Sequence, residues 1–189
     1  MLFRSWEDDP DPTLRATTAR YWEDHVSESV SDYVSLVESA KADGLPVLLG
    51  IEMDWIPGKE EALERFLAPY AWDVVLGSVH WIGAWGFDEV VDEWARRDVE
   101  ATWARYGALV HDLAATRLAD VLTHPDLPKV FGHRPADETP LHAAILSAAT
   151  NHGMALELNS NGLNKPVREL YPAPPLVDRA HAADVPDRK

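Results

Sequence analysis

Cysteine is absent from the 189 residues of the sequence. Its absence excludes disulfide bonds, zinc sites built from thiolates and a cysteine nucleophile. A metal ion could therefore be held only by imidazole and carboxylate groups. The eight histidines are the first candidates for such ligands.

Long apolar runs are absent as well. No stretch approaches the roughly 18 uninterrupted apolar residues of a membrane helix, and the acidic N-terminus lacks the apolar core of a signal peptide. We therefore expect a cytoplasmic protein without a membrane partner. With 46% hydrophobic residues and eight tryptophans, the chain can form one domain with a sizeable core. Residues 1–13 and 184–189 are predicted to be loose ends.

Basic residues are few, with 17 Lys and Arg against 32 Asp and Glu, a net charge of -15. This charge repels a phosphate backbone, and no cluster of basic and aromatic residues offsets it, so a nucleic-acid partner is not expected. The same charge would repel a small phosphorylated substrate. Such a substrate would need local positive charge from metal ions or from a few Arg and Lys side chains.

Four short apolar runs have the length and β-branched content of buried strands. They cover residues 47–51, 74–79, 119–123 and 154–158. Helical spacing predicts helices between or before them, one from Ser27 or Ser29 to Gly44 and others over residues 59–70, 89–117 and 141–151. This alternation predicts an α/β fold with parallel strands, forming a barrel or part of one.

Three of these strands are each followed at once by a candidate ligand, namely Glu52, His80 and His124. Because the carboxyl ends of parallel strands share one rim, these side chains are predicted to converge. Two imidazoles and a carboxylate suit Zn, Mn or Fe, and a carboxylate can bridge two ions. Singly, each could be a solvated or loop-capping side chain, but three in the same topological position favour a metal site. The other histidines are predicted to have surface or packing roles, except His133, which stays open.

Basic side chains near the predicted strand ends are candidates for phosphate binding. They are Arg134, Lys165 and Arg168, for which the plainer alternative is a solvated loop charge. Aromatic residues surround the loop after His80, and Trp81, Trp85 and Phe87 are interpreted as packing in preference to substrate stacking.

Several segments together resemble the signature of histidinol-phosphate phosphatases of the PHP (polymerase and histidinol phosphatase) family. They are residues 49–60, 73–80, 123–129 and 157–167. The resemblance implies a distorted seven-stranded TIM-like barrel with up to three divalent ions at its carboxyl rim, with Glu52, His80 and His124 as ligands. It also implies hydrolysis of L-histidinol phosphate in histidine biosynthesis, with a metal-bound water as nucleophile.

The chain departs from that family pattern at both ends. No predicted strand carries the family's His-x-His, Asp-His or Ser-Asp-x-His, and about four of seven strands are expected. Asn164 also stands where the family often has Arg. We therefore interpret the chain as a central segment of such a phosphatase. The alternatives are a non-catalytic remnant or interaction module that self-associates through open barrel edges, and a PHP phosphoesterase for another small phosphoester.

Overall fold

A parallel sheet of five strands forms the centre of the computed structural model, which describes residues 9–25, 29–185 and 187–188. The sheet strands are β1 (Gly50–Asp54), β2 (Val74–Ser78), β5 (Val121–Leu122), β6 (Ala155–Glu157) and β7 (Asp187–Arg188). They lie side by side in that order, every neighbouring pair parallel. A two-stranded antiparallel hairpin, β3 (Trp81–Ile82) and β4 (Trp85–Gly86), follows β2. The predicted α/β class with parallel strands is confirmed.

Two helices precede β1, and each of the others lies between successive strands of the five-stranded sheet. The helices are α1 (Pro12–His25), α2 (Val30–Ala42), α3 (Glu60–Leu67), α4 (Val99–Thr116), α5 (Thr139–His152) and α6 (Pro174–Ala182), with 3-10 turns at Val91–Arg96, Leu127–Phe131 and Ser160–Asn164. Short polar side chains start two of them: Ser29 accepts from the amide of Asp32, and Asp98 accepts from that of Ala101. No helix in the described part of the chain is both long and apolar enough to cross a membrane.

The first strand begins three residues later than the sequence pattern predicts. Val47 and Leu48 are 37% and 70% exposed, while pairing with β2 begins only where Leu49 O accepts the amide of Asp73 at 2.8 Å. An apolar run alone does not show where a partner strand begins. The consequence is a correction for Glu52, which lies inside β1 and not after it.

The ends of the chain also differ from the expectation where they are described. At the C-terminal end, β7 pairs with β6 and adds a fifth strand to the four predicted. At the N-terminal end, Asp9 accepts a hydrogen bond from the amide of Ala84 at 3.0 Å. These parts of the expected loose ends therefore have defined contacts, while residues 1–8 lie outside the described residues.

The core lies between the sheet and the helices α4 and α5. Leu113 and Ile145, one from each helix, are fully buried, as is Leu122 of β5 at 1% exposure. The hairpin closes the core beside β2, since Trp85 and Phe87 are 1% and 0% exposed. Trp81 is 8% exposed, so all three aromatics pack as predicted.

Strand β1 is an edge of the sheet, and helix α2 runs beside it. The hydroxyl of Tyr33 donates to the carbonyl oxygen of Gly50 at 2.7 Å, which satisfies one backbone acceptor of this edge. Helix α2 has no buried residue, and Leu36 is 70% exposed. The edge is therefore only lightly covered within the described residues, and self-association there stays a prediction.

Candidate metal centre

Two acidic side chains share one face of β1. Side chains alternate along a strand, so Glu52 and Asp54 point to the same side. Asp54 is paired in register with Ser78 of β2, whose hydroxyl donates to Oδ1 of Asp54 at 2.8 Å. His80 follows β2 by two residues and forms a short hydrogen bond through Nδ1 with the same Oδ1. The pairing of β1 with β2 thus brings His80 beside both carboxylates.

His124 is held at the end of β5 by its backbone and by its ring. Its φ of 28° lies in the left-handed region, which is unusual for a side chain other than glycine. Its amide donates to Oε2 of Glu157 at 2.8 Å, which fixes the chain at this turn. The ring Nε2 lies 3.1 Å from the hydroxyl of Thr123. The imidazole is therefore aimed across the strand ends.

The three predicted ligands come together in space. Nε2 of His124 lies 3.3 Å from Oε1 of Glu52, and Nε2 of His80 lies 4.0 Å from the same oxygen. One ligand atom from each residue falls within a 4.8 Å cluster. Among the described residues no other group of three His, Cys, Asp or Glu side chains gathers in this way.

The cluster fits a divalent metal ion in chemistry and in scale. Ligands about 2.1 Å from a tetrahedral ion are about 3.4 Å apart, close to the separations of Oε1 of Glu52 from the two imidazoles. The Nδ1 atom of His124 is buried and has no hydrogen-bond partner among the described residues. A buried nitrogen without a partner is costly. The donor set and its spacing are consistent with an ion held between Oε1 of Glu52 and the Nε2 atoms of the two histidines, whereas the unpartnered Nδ1 of His124 is a different atom of that ring.

Electrostatics favour charged groups in the metal-free cluster. The hydrogen bond from His124 lowers the pKa of Glu52, which keeps that carboxylate ionised. Burial alone would lower the pKa of His80, but the hydrogen bond and charge of Asp54, with Asp88 and Glu52, raise it to about 9. At neutral pH a metal ion must therefore compete with a proton on His80.

Asp88 and Tyr171 are among the residues near the cluster that sequence reasoning missed. Burial raises the pKa of Asp88, whose Oδ1 is buried without a hydrogen-bond partner among the described residues. The ring of Tyr171 lies 6.4 Å from that of His124, and its hydroxyl is likewise buried without a partner there. Neither residue follows a predicted strand, so no pattern in the sequence pointed to it.

The predicted phosphate-binding residues are dispersed in the loops. Arg134 forms close ion pairs with Glu138 and Glu169, so two carboxylates already satisfy its guanidinium. Lys165 and Arg168 are exposed on the segment after the Ser160–Asn164 turn. A phosphate-binding role stays a prediction for all three.

A lysine that the sequence analysis did not single out lies buried near the site. Lys129 is fully buried, with Nζ 2.7 Å from Oδ2 of Asp126 and 2.6 Å from the carbonyl oxygen of Leu170. It also lies 5.0 Å from the centre of the Tyr171 ring. This lysine ties the loop after β5 to the residues that pack beside His124.

Among the described side chains, no other histidine joins the cluster. His133, which the sequence left open, stacks on Trp94 with ring centres 4.9 Å apart. Asp24 and His25 form the Asp-His sequence of this chain, but they lie at the end of α1 and not in a strand. The structure does not describe the side chain of His25.

A cleft of about 360 Å³ opens beside the cluster and has Glu52, Asp54 and His80 in its wall. Tyr21 and Trp22 of α1 line its other side. A cleft of this size lies in the range that holds small ligands. A larger cleft of about 490 Å³ lies between α4 and α5, but it contains none of the cluster residues.

A parallel α/β sheet with a cluster of two histidines and a glutamate near its carboxyl rim defines a candidate metal-binding site. The model of the PHP domain family matches residues 21–161, and the chain belongs to this family. It is 42% identical over 165 residues to the probable histidinol-phosphatase of Deinococcus radiodurans, covering 84% of this chain. The chain spans 63% of the length of that relative.

Two solved structures share the fold. A protein of Listeria monocytogenes described as a histidinol phosphatase has a TM-score of 0.72 and 21% identity, covering 85% of this chain and 71% of that one. The histidinol phosphate phosphatase of Lactococcus lactis, complexed with zinc, L-histidinol and phosphate, has a TM-score of 0.64 and 18% identity. That match covers 77% of this chain and 59% of the Lactococcus chain. The predicted part of a PHP-type barrel is thereby confirmed at the level of the fold.

Proposed function

We propose that this chain is a metal-dependent phosphoesterase that hydrolyses L-histidinol phosphate to L-histidinol and phosphate. The observation that carries the proposal is the cluster of Glu52, inside β1, with His80 and His124, which follow β2 and β5, in a chain of the PHP domain family. The similarity over 165 residues to a probable histidinol-phosphatase supports the substrate.

Glu52, His80 and His124 are the proposed ligands of one or more divalent ions. The presence of zinc in the Lactococcus structure supports zinc as the first ion to test, with manganese and iron as alternatives for the same donor set. Bound ions supply a Lewis acid for phosphate oxygens and lower the pKa of coordinated water. The pKa of Glu52 is already lowered by His124 in the metal-free cluster, so the carboxylate is ready to bind without losing a proton.

Other groups of the chain would handle the charge of the substrate. A phosphate monoester approaching this acidic chain meets repulsion that the proposed ions must offset locally. Lys165 and Arg168 are exposed and can turn toward a ligand, whereas Arg134 must first leave Glu138 or Glu169. Burial raises the pKa of Asp88, and the charges of His80 and His124 act on it, so Asp88 is one of the acidic groups near the imidazoles.

The test is release of inorganic phosphate from L-histidinol phosphate by the 189-residue chain loaded with zinc or manganese. A panel of other small phosphate monoesters measured alongside separates the proposed substrate from the broader phosphoesterase alternative. We expect hydrolysis of L-histidinol phosphate that requires added metal and is lost in Glu52→Ala. Zinc binding without hydrolysis of any ester in the panel would instead support a non-catalytic role.

A further inference from the structure

His80 forms a hydrogen bond with Asp54, a residue that is not one of the proposed ligands. The Nδ1 atom of His80 shares a short hydrogen bond with Oδ1 of Asp54, on the side of the ring away from the cluster. The opposite nitrogen, Nε2, faces Oε1 of Glu52 at 4.0 Å. The ring is therefore held between the half-buried carboxylate of Asp54 and the carboxylate of Glu52.

The position of Asp54 is itself tightly determined. Its Oδ1 accepts from the hydroxyl of Ser78 at 2.8 Å, and its Oδ2 accepts from the indole Nε1 of Trp81 at 3.1 Å. Its side chain is only 21% exposed. Ser78 is the register partner of Asp54 in β2, and Trp81 opens the hairpin directly after His80. Three donors, from Ser78, His80 and Trp81, thus orient a single carboxylate.

We propose that Asp54 is a positioning residue for metal binding. Its carboxylate accepts a hydrogen bond from Nδ1–H of His80, and this fixes the ring with the lone pair of Nε2 toward Glu52 and His124. This inference rests on the proposed metal centre. A neutral imidazole carries its proton on one nitrogen only, and the hydrogen bond made by the other nitrogen decides which one binds a metal. Without the carboxylate, the neutral ring is free to rotate or to adopt the tautomer that carries its single proton on Nε2.

The substitution Asp54→Asn keeps the size of the side chain but changes its hydrogen-bonding groups. It therefore tests whether Asp54 acts by orienting the His80 ring. If the oxygen of the new amide faced His80 and Ser78, its NH2 group would meet the Nε1–H of Trp81, so two donors would face each other. In the flipped amide, the NH2 group would face the Nδ1 proton of His80. Either arrangement leaves one donor unmatched. Replacing Trp81 by Phe removes the competing donor and lets the amide oxygen face His80.

The experiment is a zinc titration of the 189-residue chain against a chromophoric chelator at pH 8. Asp54→Ala and Asp54→Asn are expected to weaken zinc binding about 10- to 100-fold, the usual cost of losing such a partner behind a metal-bound histidine. Asp54→Asn combined with Trp81→Phe is expected to recover part of the affinity relative to Asp54→Asn, with Trp81→Phe alone as the reference. Circular dichroism of each variant verifies that it is folded.

Asp73→Asn is the matched control. Asp73 also accepts hydrogen bonds near the start of a strand, from the amide of Leu49 at 2.7 Å and from Lys41, but it contacts no histidine. Its replacement should leave zinc affinity unchanged. A second measurement uses the ¹⁵N resonances of the His80 ring in the zinc-loaded chain, assigned by their loss in His80→Asn. These resonances should show a protonated Nδ1 in the wild type and a changed protonation pattern in Asp54→Ala.

The outcomes separate this inference from the proposed function. If His80→Ala weakens zinc binding while Asp54→Ala and Asp54→Asn bind as the wild type does, the positioning role is wrong and the metal centre stands. If the wild type binds no zinc, or if His80→Ala binds it equally well, the proposed centre fails and this inference fails with it.

Discussion

Nε2 of His124 lies 3.3 Å from Oε1 of Glu52, although 72 residues separate the two in the sequence. The contact exists because β1, β2 and β5 are neighbours in one parallel sheet. Their side chains therefore meet at the carboxyl rim, where α/β folds place ligands. The same geometry brings His80, from the strand between them, within 4.0 Å of Glu52.

Removal of any one proposed ligand should lower bound metal and phosphatase activity together. Glu52→Ala, His80→Ala and His124→Ala are each expected to weaken zinc binding by more than the roughly 10- to 100-fold that follows loss of a residue behind a ligand. Metal content by mass spectrometry and phosphate release from L-histidinol phosphate are the measurements. His111→Ala, at an exposed position of α4, is the control. Unchanged metal content in all three ligand variants would rule out the site.

Zinc affinity should rise with pH up to about pH 9. The pKa of His80 is raised to about 9, mainly because Asp54 outweighs the effect of burial, so the metal-free imidazole is protonated at neutral pH. Zinc must displace that proton, and the apparent affinity should therefore increase about tenfold per pH unit below the pKa. The increase should level off above it. Competition titrations between pH 6.5 and 10 measure this dependence, and a flat profile from pH 6.5 to 9 would contradict it.

The meeting of Glu52, His80 and His124 could be predicted because it depends on local patterns. Short apolar runs alternating with helical segments predict a parallel sheet, and polar residues near the run ends then share one rim. The same reasoning wrongly placed Glu52 after the first strand, whereas it lies inside β1. Val47 and Leu48 resemble strand residues by composition, and only the start of pairing with β2 shows that they precede β1.

Residues whose roles depend on distant partners could not be predicted. Lys129 looks like an ordinary loop charge until the fold places Leu170 and Asp126 around its ammonium group. The hairpin strands β3 and β4 have two residues each, too few for any periodicity to show. Asp54 could be noticed only as one more acidic residue in a chain that has 32 of them.

Lys129→Met should strongly destabilise the fold. The substitution removes a fully buried ammonium from Asp126, which is itself 0% exposed, and so leaves a buried carboxyl group without its charge partner. Breaking one side of such a pair typically costs about 3–5 kcal/mol of unfolding free energy. Urea denaturation followed by tryptophan fluorescence gives the change.

Two variants test the cause of that loss. Lys165→Met, at an exposed lysine, should change the unfolding free energy by no more than about 0.5 kcal/mol. Adding Asp126→Asn to Lys129→Met should restore part of the stability, because the unpaired carboxylate is then gone. A loss below about 1 kcal/mol in Lys129→Met would show that the pair contributes little.

Gly162→Ala should destabilise the chain by at least about 1–3 kcal/mol. A Cβ atom at Gly162 would lie 1.9 Å from the carbonyl oxygen of Glu169 and 2.9 Å from the ring of Tyr171. A backbone oxygen cannot rotate away as a side chain can, so the turn Ser160–Asn164 must shift. The shift would strain the two backbone hydrogen bonds between Asn159 and Tyr171, at 2.6 and 2.9 Å.

The Gly162 variant also reports on the coupling of this turn to the metal centre. Tyr171 packs beside His124, so displacement of its ring should weaken zinc binding as well as stability. Ser160→Ala, exposed in the same turn, is the matched control and should alter neither. Thermal unfolding and zinc titration of both variants give the two quantities. A stable Gly162→Ala chain would contradict the close contact with Glu169, and a destabilised chain with unchanged zinc affinity would separate the turn from the site.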